Sequence, residues 1–67
     1  MNIGERIKEL RAEKNMSQAE LAEAIKIDKS TIAKYETNDR EPKIYILCKI
    51  ADYFDITLDY LAGRKEL

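Results

Sequence analysis

Lys29, Ser30, Ala33 and Lys34 fall on one side of a helix if the segment KSTIAKYE is helical, while Ile32 and Tyr35 turn the other way. Such a face is small, polar and basic. Its ammonium groups can donate to the acceptor edge of guanine, its hydroxyl can donate or accept, and its alanine methyl can meet the methyl of thymine. The chemistry on offer is hydrogen-bond readout of a partner. Catalysis is not: the chain has no histidine, no nucleophile beside a recognisable base and no glycine-rich phosphate loop. An enzyme is not expected. The plainer reading of Lys29 and Lys34 is an ordinary solvated helix face, and residue types alone leave both readings open.

The elements that would position this face must come from 67 residues, enough for one domain, 1–67, with one small core. A composition of 45% hydrophobic and 37% charged residues, with two glycines and one proline, describes a packed helical chain. Cys48 is the only cysteine, so neither a disulfide framework nor a cysteine and histidine zinc site can be assembled, and no cofactor is implied. Beside Leu47, Cys48 reads as a small buried hydrophobe. No apolar run approaches membrane-spanning length and the first ten residues are mixed in charge, which gives a cytoplasmic expectation with no membrane partner. The net charge of −1 supplies no global attraction for nucleic acid, so any such role rests on where the charges sit.

Apolar spacing predicts an all-α bundle of five short helices: Ile3, Ile7 and Leu10; Leu21 and Ile25; Ile32 and Tyr35; Leu47, Ile50 and Phe54; Leu58 and Leu61. Ser17 to Glu20 reads as a capping box that starts the second helix. Asp28 and Thr57 are candidate caps for the third and fifth, Pro42 suits a first helical turn, and Gly63 suits a helix end. Only Lys26, Ile27 and Asp28 separate the second helix from the third, so the pair, about 18–36, meets steeply and buries a shared face. That is the geometry of a helix-turn-helix, although spacing alone equally fits a helical hairpin in a small bundle.

The run MSQAELAEAIKIDKSTIAKYE, followed by REP and then LCKIADYFDITLDYLAG, resembles the lambda-repressor-like helix-turn-helix domain of phage repressor and Cro proteins, the XRE family. The likeness spans about residues 3–63, with several separated motifs in order. It implies a five-helix domain that binds an operator in double-stranded DNA, usually as a homodimer, and presents the helix from about 29 to 36 to the major groove. Lys29, Ser30 and Lys34 then occupy the base-reading positions. Where the family usually carries glycine at turns, this chain has Lys26, Asn38 and Asp55. Asn and Asp tolerate left-handed backbone, whereas a left-handed Lys26 would carry strain on the order of 1 kcal/mol.

Further positions complete the expected interface. Gln18, at the start of the second helix, resembles a phosphate clamp, with a solvated first-turn residue as the alternative. Lys26, Thr37, Asn38 and Arg40 are placed for backbone contact, although Asp39 and Glu41 dilute the positive field and Arg40 can equally pair with an acid inside the domain. Helices four and five, about 42–62, carry Ile44, Ile46, Tyr53 and Tyr60 beyond the inward set, and these are candidates for a dimer surface or for the edge of the core. The expected function is a sequence-specific repressor. The competing one is an antitoxin-like or regulatory module whose task is to bind another protein.

Overall fold

The computed structural model describes residues 2–63. Five helices follow one another, α1 (Ile3–Glu13), α2 (Gln18–Ile25), α3 (Lys29–Glu36), α4 (Ile44–Phe54) and α5 (Leu58–Leu61), and there is no strand among the described residues. The all-α, five-helix expectation holds. Three helix starts are closed by side chains. Asn2 Oδ1 accepts from the amide of Glu5 at 2.8 Å, a cap the sequence reading missed. The capping box is present, with the Ser17 amide donating to Glu20 Oε1 at 2.7 Å and the Glu20 amide to Ser17 Oγ at 3.0 Å. Thr57 Oγ1 accepts from the amide of Tyr60 at 3.0 Å.

Two expected starts differ. Asp28 occupies the cap position of α3, but its side chain makes no capping bond and stays exposed. Pro42 lies outside the helix, because Lys43 is the extended cap residue of α4 and Pro42 precedes it.

The first four helices stop in the same way. Asn15, Lys26, Asn38 and Asp55 all have φ between 55° and 65°. In each case the left-handed residue donates its amide three residues back, and the next amide reaches five residues back: Lys26 to Glu23 O at 3.3 Å and Ile27 to Ala22 O at 2.9 Å, with matching pairs after α1, α3 and α4. This is the Schellman termination, which satisfies orphan carbonyls and tucks the following residue inward. Met16, Ile27 and Ile56 take that following place and pack against the core. None of the four turns has glycine.

The core gathers Ile7 and Leu10 of α1, Leu21, Ala22 and Ile25 of α2, Ile32 and Tyr35 of α3, Ile46, Ile50, Ala51 and Phe54 of α4, and Leu61 of α5. Of the inward set expected on α4, Ile50 and Phe54 are buried and Leu47 packs against the core from its edge, while Ile46 joins them as a fully inward residue. The three inward residues are spaced by four, and Leu47 is only half-buried. The segment IYILCKIADYF offers two overlapping helical stripes, and packing against α2 and α5 selects the one through Ile46. Leu58 is likewise not an inward residue, being 40% exposed. α1 crosses α3 closely: a Cβ on buried Gly4 would collide with the Tyr35 carbonyl oxygen and stand 2.8 Å from Asn38 Oδ1. Only glycine admits that approach.

Candidate nucleic-acid interface

The rotation of α3 is set by what it buries. Ile32 is fully buried and Tyr35 is 5% exposed, which fixes the helix's rotation and leaves Lys29, Ser30 and Lys34 exposed on the other side with Ala33 half-buried between them. The predicted polar face therefore exists as one surface. The face runs from the first turn, Lys29 and Ser30, to Lys34 in the last, and the first-turn amides have no side-chain cap, so the positive end of the dipole is open beside Lys29 and Ser30.

Around α3 stand the residues expected along a phosphate backbone. Lys26 is exposed and left-handed, φ 64° and ψ 47°, at the turn between α2 and α3. It lines an open groove with Thr31, Tyr35, Arg40, Lys43 and Tyr45. Arg40 is exposed and makes no ion pair among the described residues, so internal pairing, the alternative weighed for it, is absent there. Burial pushes the Tyr35 hydroxyl above its usual range, and the positive charge of Arg40 opposes that shift. Lys43 and Tyr45 were not singled out from sequence, although the second cation in REPK was the available signal for Lys43. Thr37 is already engaged, its Oγ1 lying 3.1 Å from Ala33 O and 2.9 Å from Asp39 Oδ2, where it closes the end of α3. Asn38 is exposed and left-handed.

Gln18 is not the freely solvated residue of the plainer reading. It is half-buried, and its Nε2 donates to Glu36 Oε1 at 3.1 Å. Glu36 also accepts from Arg11, Nε to Oε2 at 2.8 Å and Nη2 to Oε1 at 3.1 Å, while Arg11 Nη1 donates to Met16 O at 2.6 Å. One carboxylate thus joins α1, α2 and α3. Burial pushes the Glu36 carboxyl upward, but the hydrogen bonds from Arg11 and Gln18 and the charges of Arg11 and Lys8 outweigh it and leave it below the usual carboxylate range. The bond to Glu36 moves the Arg11 guanidinium in the opposite sense, above its ordinary value, against the effect of burial. Sequence reasoning missed this network because Arg11 and Glu36 are 25 residues apart and each reads alone as a surface charge.

The candidate dimer residues do not come together. Ile46 is 4% exposed, so it is core and cannot serve as an interface residue. Ile44 and Tyr53 are both exposed, but at 100° per residue they point to opposite sides of α4. Tyr60 is half-buried with the Arg6 guanidinium 4.2 Å above its ring, a contact that ties α5 to α1. Among the described residues, the large apolar side chains left exposed are Ile44, Tyr45, Tyr53 and Leu58.

Two juxtaposed short helices, a three-residue turn opened by left-handed Lys26 and an outward basic face match what the family comparison finds, since the helix-turn-helix model covers residues 7–61. The chain belongs to the XRE-type helix-turn-helix family. Among its relatives is the transcriptional regulator AnsR of Bacillus subtilis, 44% identical over 66 residues that make up 98% of this chain and 56% of AnsR. Among solved structures, the P22 c2 repressor in complex with a synthetic operator superposes with a TM-score of 0.89 at 25% identity, covering 97% of this chain and 98% of that one. The biofilm regulator SinR in complex with DNA gives a TM-score of 0.81 at 38% identity, over 88% of this chain and 95% of that one. The chain spans about half the length or less of the curated relatives it matches.

Proposed function

We propose that this domain binds double-stranded DNA as a sequence-specific transcriptional regulator, acting as a repressor by occupying an operator. α3 enters the major groove, Lys29, Ser30 and Lys34 meet base edges, and Gln18, Lys26, Thr37, Asn38 and Arg40 lie along the flanking phosphates. The observation that carries this reading is the exposed Lys29, Ser30 and Lys34 face, held outward by buried Ile32 and Tyr35. It is supported by the DNA seen with the P22 c2 repressor and with SinR. No step of this role is catalytic, and it places the protein with the DNA it regulates, in the cytoplasm.

A domain of this size makes few base contacts, and a homodimer on two half-sites about 10 bp apart supplies the rest of the discrimination. With Ile46 withdrawn into the core, the second copy is best met by Ile44 and Leu58, exposed at the starts of α4 and α5. The acidic balance elsewhere weakens non-specific binding and leaves discrimination to base contacts. Selection of bound duplexes from a random pool across a salt series tests the reading. Enrichment of a two-fold-symmetric site whose binding weakens steeply with salt is the expected result, and enrichment of nothing at any salt would sink it. The second reading, a module that docks another protein, is favoured by the SinR–SinI complex, whose SinR is 38% identical over 88% of this chain. The two roles are compatible on separate surfaces.

A further inference from the structure

Glu36 is an anion in an unfavourable place. It is the last residue of α3, where the helix dipole opposes negative charge, and its side chain is only 4% exposed. Two bonds from Arg11 would by themselves complete an ion pair. The third bond, from Gln18 Nε2 at 3.1 Å, does something else: it ties the C-terminal end of the proposed base-reading helix to the first residue of α2. A glutamine carboxamide has two N–H donors at one end and an oxygen acceptor at the other. Left free to rotate, it offers a phosphate its repelling oxygen as readily as its donors. With one N–H given to Glu36, the nitrogen end is assigned and the second N–H remains to be donated.

We infer that Glu36 is a positioning residue for DNA contact, acting through Gln18: it orients the carboxamide so that its second amide proton, with the first-turn amides of α2, meets a phosphate. This rests on the DNA-binding reading above. It makes a prediction opposite in sign to simple electrostatics, because removing a negative charge near a polyanion should tighten binding, whereas losing the tether should weaken it.

The test uses the duplex recovered by selection and the folded chain at neutral pH, with Gln18→Ala, Glu36→Gln and the double variant titrated at several salt concentrations. Gln18→Ala is expected to weaken binding about tenfold at every salt without changing the salt slope, since a neutral amide releases no counterion. Glu36→Gln is expected to weaken it by a similar factor and to add nothing in the Gln18→Ala background. Additive losses, or tighter binding by Glu36→Gln, overturn the inference. If Gln18→Ala has no effect while Lys34→Ala abolishes binding, the inference fails and the DNA reading stands; if the wild type binds no duplex, both fail. A measurement on the wild type needs no variant to fold: NMR of the Gln18 side-chain amide should show one proton held by Glu36 and the other shifting when the duplex is added. Two unmoved protons overturn the inference as well.

Discussion

Lys26 illustrates how a single residue can be set against its own backbone. Its left-handed conformation, φ 64°, is strained by on the order of 1 kcal/mol for a residue with a Cβ, and both terminating hydrogen bonds of α2 depend on it. Lys26→Gly should therefore raise the thermal midpoint by several degrees, since about 1 kcal/mol corresponds to roughly 4–8 °C in a domain of this size. On the proposed interface, where Lys26 meets a phosphate, the same change should weaken DNA binding and lower the salt slope by about one. A stabilised variant with an unchanged salt slope would remove Lys26 from the interface. Gly4 is the reverse case. Any Cβ there collides with the Tyr35 carbonyl, so Gly4→Ala should cost about 1–3 kcal/mol by forcing α1 away from α3, read as a lower denaturation midpoint at unchanged slope. On the α3 face, Lys29→Ala combined with Lys34→Ala should abolish operator binding while leaving the midpoint within about 0.5 kcal/mol of wild type, since both side chains are exposed. Full-strength binding by that double variant would show that α3 is not the reading helix.

Among the elements, the Arg11, Glu36 and Gln18 network decides how firmly α3 is seated on α1 and α2. Glu36 titrates below its ordinary carboxyl range when folded, so the unfolded chain takes up its proton first. Its contribution to stability is complete above the unfolded value near 4.5 and fades as pH falls through the lower folded value. Glu36→Gln should accordingly cost about 1–3 kcal/mol at neutral pH by leaving the Arg11 guanidinium without its counter-charge, and the gap to wild type should narrow as pH drops below about 4 in urea titrations. A gap constant with pH would mean the carboxylate is not the source. These elements were unequally legible. The capping box at Ser17, the three-residue turn and the outward lysines could be read because each depends on local spacing. On α4, Ile50 and Phe54 were legible as core, but the choice of Ile46 over Leu47 as the third inward residue was not, since both begin a helical stripe and only the neighbouring helices decide between them. Long-range partners such as Arg11 with Glu36, and the close approach at Gly4, leave no periodic trace in the sequence at all.

At the scale of the whole molecule, the question is how a domain of net charge −1 holds a polyanion with few cations. The proposed pairing of two copies would answer it, because the second half-site would then be bound at a high effective concentration without any new DNA contact. Ile44 is 65% exposed and Leu58 40% exposed, and neither belongs to the buried core. Lysine at either position should leave folding unchanged while setting like charges against each other across a two-fold axis. Ile44→Lys and Leu58→Lys should each weaken binding to a duplex carrying both half-sites by roughly tenfold or more, while adding a cation leaves affinity for a single half-site equal or slightly higher. Sedimentation of the complexes should show the stoichiometry on the full site falling from two chains to one at matched concentrations. If the single half-site loses as much as the pair, these residues support the DNA contact itself, and the partner-facing surface must be sought at Tyr53, on the opposite side of α4.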